Sequence, residues 1–197
     1  MTKRIFDVVV SAVGLVFLAP LLAVIALCLK LESRQPVLYR QERAGRFGVP
    51  FRIHKFRAMQ SDADRKGLLI TIVGDPRVTA VGKWLRRYKL DELPQLVDVL
   101  RGDMSLVGPR PEVSKYVAIY APEIRDLVLS VRPGITDMAS IAFRNESTLL
   151  ASSRDPELTY IEDVLPIKLR QHAAYVKRHS LFGDVAIILR TLGVLLR

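Results

Sequence analysis

Cysteine, histidine and aromatic side chains are scarce in this sequence. Cys28 is the only cysteine, which excludes an internal disulfide and a cysteine-rich zinc site. The three histidines stand at positions 54, 172 and 179, too scattered to form a metal-binding cluster. Aromatic residues make up 7% of the chain, which gives little support to a platform that stacks the bases of single-stranded nucleic acid.

Basic and hydrophobic residues are abundant instead. Thirty lysines and arginines against twenty acidic residues give a formal net charge of +10. That charge predicts an anionic partner such as nucleic acid, a membrane surface or a phosphorylated metabolite. Half of the residues are hydrophobic and the mean hydropathy is positive, which favours a membrane surface over nucleic acid. A chain of 197 residues is long enough for one domain of ordinary size.

An almost uninterrupted apolar segment runs from Val8 to Leu29 and contains Pro20 near its middle. As a helix it would be about 33 Å long, enough to cross the hydrocarbon core of a bilayer. Basic residues, which tend to stay on the cytoplasmic side, flank both of its ends. We therefore predict that residues 1–31 form a re-entrant anchor, two helices with a break at Pro20. A spanning helix and a helix buried in a soluble core remain alternatives.

Short β-rich runs and amphipathic helices follow the apolar segment. Val37–Tyr39 and Phe51–Ile53 are predicted strands, joined by a glycine-punctuated turn. Helices are predicted at Val78–Tyr88 and Asp163–His179, and an interfacial helix at Phe182–Leu196. The sequence thus predicts an α/β fold that is membrane-associated and helix-rich, with a small β-sheet or hairpin. Residues 32–197 would form its cytoplasmic domain.

The most informative stretch is Leu90–Leu96, where two adjacent carboxylates, Asp91 and Glu92, lie within a basic region. One interpretation is structural: Asp91 caps a helix that tolerates Pro94 in its first turn and ends at Gly102. The other is catalytic, and the two are compatible. The positive end of a helix would keep Asp91 ionised and able to attack a bound phosphorus, while Glu92 held a divalent metal.

Nearby cations are candidates to bind that phosphate. Arg86 lies close in sequence to the carboxylates, at the end of a predicted helix. Arg110 stands between two prolines, which restrict its backbone and lower the entropic cost of binding an anion. Lys55 and Arg57 lie at the end of a strand-like run and are better candidates to reach a site than the other cations around them.

Together these residues resemble the bacterial sugar transferases known as monotopic phosphoglycosyl transferases, in their minimal form. The resemblance covers nearly the whole chain, beginning with the apolar segment that contains Pro20. Its strongest motifs are Leu90–Leu96 and Gly102–Pro111, and two others are Tyr39–Gly45 and Lys55–Met59. Ordered motifs of this length are far more specific than an Asp–Glu pair alone.

The resemblance implies transfer of a sugar 1-phosphate from a UDP-sugar to polyprenyl (undecaprenyl) phosphate, with release of UMP. This reaction would be the first membrane step in making a surface polysaccharide or glycoconjugate, such as exopolysaccharide or lipopolysaccharide. It would take place at the cytoplasmic face of the bacterial inner membrane, with membrane lipids and not nucleic acid as partners. A homo-oligomer is left open.

The resemblance also implies roles for single residues. Asp91 would be the catalytic nucleophile that forms a covalent phosphosugar in a ping-pong reaction, and Glu92 would hold Mg²⁺. Arg86 would contact substrate phosphate. Lys55, Arg110 and Arg144 would contact phosphate or nucleotide, and Pro20 would break the membrane helix.

Some positions depart from the family pattern. Ala19 precedes the membrane proline where serine is frequent, Asp137–Ser140 replaces Gly-Trp-Ala-Gln, and His172 stands near where many members carry an aspartate. These changes leave open the sugar and any third acidic ligand. A different hypothesis, based on charge alone, is a non-catalytic basic protein that binds a membrane surface or nucleic acid.

Overall fold

The longest element is α1 (Thr2–Glu32), a helix of 31 residues in the computed structural model, which describes residues 1–60 and 70–195. Among the described helices, α1 is the one long and apolar enough to cross a membrane. The predicted break at Pro20 does not interrupt it: Pro20 lies inside a continuous helix, because proline removes a single backbone donor and can leave the flanking turns intact. The re-entrant path of residues 1–31 stays a prediction.

Both ends of α1 pack against the same body of the protein. Near the N-terminus, the buried carboxylate of Asp7 accepts a hydrogen bond from Ser105 Oγ at 2.8 Å. Near the C-terminus, Ile25 and Leu29 are buried in a cluster with Phe56. The outward side chains are apolar and exposed, among them Val13, Val16, Phe17, Val24, Leu27 and Leu31. One face of α1 therefore belongs to the core, and the other is free to contact lipid.

Strands β1 (Leu38–Ala44) and β2 (Pro50–Phe56) form an antiparallel hairpin. A 3₁₀ turn at Arg46–Gly48 joins them, and Gly48 takes a φ of +76°, which glycine adopts without strain. The hairpin predicted from sequence is confirmed. Its strands are longer than predicted, because backbone pairing continues through the charged residues that flank each apolar run.

Three consecutive helical segments carry the carboxylate pair: α2 (Ala80–Arg87), a 3₁₀ helix (Leu90–Gln95) and α3 (Leu96–Arg101). Thr79 caps α2, since its Oγ1 accepts a hydrogen bond from Gly82 N at 3.0 Å. At the other end of the three segments, Gly102 ends α3 with a φ of +94°, as the sequence predicts.

The predicted helix cap at Asp91 is wrong. Lys89 occupies the N-cap position with a left-handed φ of +55°, and Asp91 is the second residue of the 3₁₀ helix. A backbone turn sets this start, because Lys89 N donates to Arg86 O at 3.3 Å directly after α2. The carboxylate of Asp91 is thereby left available for the site.

Strands β3 (Ser105–Val107) and β4 (Gly134–Thr136) form a parallel pair. Two short helices lie in the crossover between them, α4 (Ser114–Val117) and α5 (Pro122–Leu129). The backbone at Gly108 lies very close to the backbone at Gly134, since a Cβ at Gly134 would lie 2.1 Å from Gly108 N. This contact fixes the start of the turn that carries Arg110.

Helices complete the chain after β4. They are α6 (Met138–Ala142), α7 (Glu146–Ala151), α8 (Pro156–Thr159), a π-helix (Tyr160–Val164), α9 (Leu165–Arg178) and α10 (Leu181–Leu195). The last two confirm the helices predicted near the C-terminus, although Leu196 lies outside the described residues. The fold is helix-rich with two small sheets and an apolar N-terminal helix, and this confirms the predicted fold class.

Candidate active site

A cleft of about 1130 Å³ opens beside the hairpin, α2 and the 3₁₀ helix. It is lined by every side chain that the sequence predicts for catalysis or phosphate binding, namely Lys55, Arg86, Asp91, Glu92, Arg110 and Arg144. Pro20 lies apart from them, on the exposed side of α1. The fold thus brings the predicted residues to one cavity, and their individual roles stay predictions.

Glu92 is the electrostatic centre of the cleft. Lys55 reaches it from β2, with Nζ at 2.9 Å from Glu92 Oε1. Arg110 reaches it from the turn after β3 and binds in a forked manner, with Nη1 at 3.1 Å from Oε2 and Nη2 bonded to Oε1. One carboxylate therefore holds two cations that come from separate parts of the chain.

Burial and charge act in opposite directions on this group of three side chains. Burial would raise the pKa of Glu92, but the charges of Arg110 and Lys55 outweigh it and hold that pKa well below its usual range. Burial lowers the pKa of Lys55 against the opposing effect of Glu92. The negative charge of Glu92 raises the pKa of Arg110. Glu92 is consequently ionised and already neutralised by protein cations.

Asp91, the neighbour of Glu92, has no ion-pair partner among the described residues. Its side chain is 7% exposed, and Oδ1 has no hydrogen-bond partner among the described residues. Burial, followed by repulsion from Glu92, raises the pKa of Asp91. The sequence suggested that a helix terminus would favour the ionised form, whereas desolvation and the like charge of Glu92 shift the pKa in the opposite direction. Asp91 lines the cleft, and a carboxylate there with no ion-pair partner is a suitable nucleophile.

The cations of the cleft fall into two groups. Those of the first group are paired within the protein, as Lys55 and Arg110 are with Glu92, and Lys168 is with Glu146. The second group consists of Lys83, Arg86, Arg87, Lys89 and Arg144. Their side chains make no ion pair and no hydrogen bond with any residue in 1–60 or 70–195. Most of the second group comes from α2 and the turn after it, so one wall of the cleft offers uncompensated positive charge to an anionic ligand.

Comparison with known proteins agrees with this geometry. The whole chain, residues 1–197, matches the family described as bacterial sugar transferase. A UDP-glucose:undecaprenyl-phosphate glucose-1-phosphate transferase from Caulobacter vibrioides is 40% identical over 98% of this chain and 69% of its own length. The chain belongs to the bacterial sugar transferase family. The family resemblance and the enzyme class predicted from the sequence are thus confirmed.

Other relatives in this family are longer. A UDP-N-acetylgalactosamine-undecaprenyl-phosphate N-acetylgalactosaminephosphotransferase from Aeromonas hydrophila is 36% identical over 98% of this chain and 43% of its own length. A UDP-glucose:undecaprenyl-phosphate glucose-1-phosphate transferase from Escherichia coli is 36% identical over 96% of this chain and 39% of its own length. This sequence therefore spans under half of these two relatives.

Part of the cleft of this sugar transferase was not predicted. The buried carboxylate of Glu112 accepts a hydrogen bond from Tyr160 Oη at 2.5 Å, and Arg43 lies 3.7 Å from its other oxygen. Lys168 Nζ lies 4.9 Å from the centre of the Tyr160 ring. Arg43 belongs to a motif found in the sequence, but the positions of Tyr160 and Lys168 carry no local pattern that would have indicated them.

Two of the departures from the family pattern contact each other. His172 Nε2 lies 3.2 Å from Asp137 Oδ2, and both side chains are buried. Burial would raise the pKa of Asp137, but the hydrogen bond and charge of His172 lower it. His172 is not among the described residues that line the cleft. It supports Asp137 and α6, rather than replacing an acidic ligand in the cavity.

The carboxylate pair is also the candidate site for Mg²⁺. No group of three His, Cys, Asp or Glu side chains in the described part of the chain could hold a metal alone. Mg²⁺, however, is usually bound by one or two carboxylates together with substrate phosphates. Asp91 Oδ1 is unpartnered, and Glu92 Oε2 accepts one hydrogen bond and retains room for a second contact. The residues present fit a metal that arrives with a diphosphate.

Proposed function

We propose that this chain transfers a sugar 1-phosphate from a UDP-sugar to polyprenyl phosphate and releases UMP, with Asp91 as a covalent nucleophile. The observation that carries the proposal is the buried, unpartnered oxygen of Asp91 in a cleft with uncompensated cations. The names of the relatives support the substrate classes, since each acts on undecaprenyl phosphate.

In the first step, a carboxylate oxygen of Asp91 attacks the phosphorus that carries the sugar. The bond between that phosphorus and the bridging oxygen breaks, and UMP leaves with the electron pair. The product on the enzyme is a phosphosugar joined to the carboxyl group of Asp91. Arg86 at the end of α2 and Arg144 would bind the donor diphosphate, because phosphoryl transfer depends mainly on positioning and charge neutralisation.

In the second step, an oxygen of the polyprenyl phosphate attacks the same phosphorus. The bond from phosphorus to Asp91 breaks, which restores the carboxylate and yields a polyprenyl diphosphate-linked sugar. Because the two substrates use one phosphorus site in turn, the kinetics would be ping-pong. Arg86 and Lys89 flank the carboxylates and would hold the lipid phosphate at this stage.

Glu92 has two tasks in this scheme. Its bonds to Lys55 and Arg110 keep both cations in place at the cleft floor. It would also hold Mg²⁺ once a diphosphate is bound. The metal, when bound, would neutralise negative charge on the donor diphosphate.

We further propose that the protein is held in one leaflet at the cytoplasmic face of the bacterial inner membrane. A helix that crossed the bilayer would separate its ends by the membrane, whereas both ends of α1 contact the same body. This arrangement argues against a spanning helix and supports an anchor whose two ends stay on one side of the bilayer, although α1 lacks the helix break predicted at Pro20. Periplasmic labelling of a cysteine at position 2, in a variant whose Cys28 is replaced by serine, would contradict it.

The function is tested by incubating purified enzyme with a panel of UDP-sugars and undecaprenyl phosphate and measuring UMP. We expect one or a few donors to release UMP, and Asp91→Asn to abolish release while the variant still folds and binds membranes. Asp126→Asn, at an exposed side chain of α5, is a matched control that should retain activity. Failure of every donor, combined with salt-sensitive binding to DNA, would favour the non-catalytic alternative instead.

A further inference from the structure

The outer face of α2 carries two large aromatic side chains in contact with solvent. Trp84 is 49% exposed and Tyr88 is 42% exposed. They lie one helical turn apart, and their ring centres are 5.6 Å apart in an edge-on arrangement. The guanidinium of Arg87 lies 5.7 Å from the centre of the Tyr88 ring. The described residues that line the cleft do not include either aromatic side chain, so the proposed chemistry does not account for them.

The position of α2 explains what this aromatic pair would meet. The inner face of α2 packs on the last turns of α1, where Leu85 is buried with Ile25 and Leu29. At the end of α1, Glu32 Oε1 accepts a hydrogen bond from Val81 N at 2.9 Å. The outward side chains of the same turns of α1 are apolar and exposed, among them Val24, Leu27 and Leu31. The aromatic pair therefore lies beside the end of an apolar surface that has no protein partner in the described structure.

The charges around the pair have one sign. Lys83, Arg87 and Lys89 lie on or next to α2 and make no ion pair with a described residue. Tryptophan and tyrosine are enriched at membrane interfaces, where an apolar ring and a polar edge are both satisfied. Unpaired cations at the same height are attracted to anionic headgroups.

We propose that Trp84 and Tyr88 dock α2 into the boundary between headgroups and acyl chains of an anionic phospholipid bilayer. This docking sets the distance of the cleft from the membrane surface, because cations on the adjoining face of α2 line the cleft. The aromatic rings enter the boundary region, and Lys83 and Arg87 contact lipid phosphates. The inference concerns where the protein sits in a membrane, and it stands whether or not the proposed transfer is correct.

The protein carries its own reporter, since Trp84 is the only tryptophan in the chain. The full chain would be placed in nanodiscs of phosphatidylcholine and phosphatidylglycerol, with bromine on the acyl chains either near the headgroup or near the chain end. We expect bromine near the headgroup to quench Trp84 fluorescence more strongly than bromine near the chain end. We also expect weaker quenching in discs of phosphatidylcholine alone, because the cations then lose their anionic partners.

A matched control moves the reporter to α8, where the neighbouring side chains Asp155 and Glu157 are acidic. In Trp84→Phe combined with Leu158→Trp, the new indole stands at an exposed position beside those acidic side chains, and brominated lipid should leave it unquenched. Lipid-independent emission from Trp84, with full quenching by aqueous iodide, would overturn the proposal. Emission that changed with the number of protein copies per disc, and not with lipid, would also overturn it and indicate a second copy of the chain as the occupant.

Discussion

Neutralising each of the two adjacent carboxylates should have opposite effects on stability. Glu92→Gln leaves Lys55 and Arg110 without their shared anion. The side chain of Glu92 is 11% exposed, that of Lys55 is 19% exposed and that of Arg110 is 28% exposed. Removing one partner of a buried ion pair typically costs several kcal/mol, and for these partly exposed cations we expect about 3 kcal/mol of lost unfolding free energy. Asp91→Asn instead removes a buried, unpartnered charge. We expect it to be neutral or stabilising by about 1 kcal/mol.

The pH dependence of these two effects should also differ. The folded-state pKa of Glu92 is lowered, so its contribution is present above the ordinary glutamate pKa and is lost as the pH falls through the folded value. The folded-state pKa of Asp91 is raised, so the protonated form stabilises the fold at low pH and this benefit is lost as the pH rises. As the pH is lowered from 7, the difference in unfolding free energy between wild type and Asp91→Asn should therefore disappear at a higher pH than the difference between wild type and Glu92→Gln.

Urea unfolding in mild detergent, followed by far-UV circular dichroism at several pH values, measures both effects. The comparison of a variant with wild type is valid when the unfolding free energy falls with urea concentration at the same slope in both. The account of the site would be refuted if Glu92→Gln were as stable as Asp91→Asn at pH 7. It would equally be refuted if both differences from wild type changed with pH in the same way.

Three other perturbations test separate parts of the structure. Gly134→Ala should destabilise the protein by about 3 kcal/mol, since its Cβ would meet the Gly108 backbone. A thermal melt would show this loss, with Gly193→Ala as the control, because a Cβ at Gly193 meets no atom within 4 Å. UMP release should fall on acidification at a higher pH than an ordinary carboxyl would give, because the raised pKa of Asp91 protonates the nucleophile; a pH–rate profile that stayed flat down to the usual aspartate range would contradict this. Chelation with EDTA should abolish UMP release and added Mg²⁺ should restore it, whereas full activity in EDTA would exclude the proposed metal.

The features of this fold that could be predicted are those encoded by local pattern. The β1–β2 hairpin follows from apolar runs separated by glycines, and α2 and α9 follow from helical spacing. The end of α3 at Gly102 follows from the left-handed conformation that glycine favours. Lys55, Asp91, Glu92 and Arg110 were found because each lies in a contiguous motif, whereas Arg86 and Arg144 lie outside those motifs.

The features that could not be predicted depend on long-range contacts. The bond between Tyr160 and Glu112 joins positions 48 residues apart, and the pair of His172 and Asp137 joins positions 35 apart. The pKa of Asp91 likewise depends on burial, which residue type and spacing do not determine. The sequence indicated which side chains belong to the site, but their pairing and ionisation depend on the folded structure.

The central claim is that the carboxyl group of Asp91 becomes covalently phosphorylated by the donor. The direct measurement is mass spectrometry of peptides from enzyme incubated with an active UDP-sugar in the absence of polyprenyl phosphate. We predict a mass increase of one sugar phosphate on the peptide that contains Asp91, absent from Asp91→Asn and lost when polyprenyl phosphate is added. An enzyme that turns over both substrates yet never carries this adduct would contradict the account.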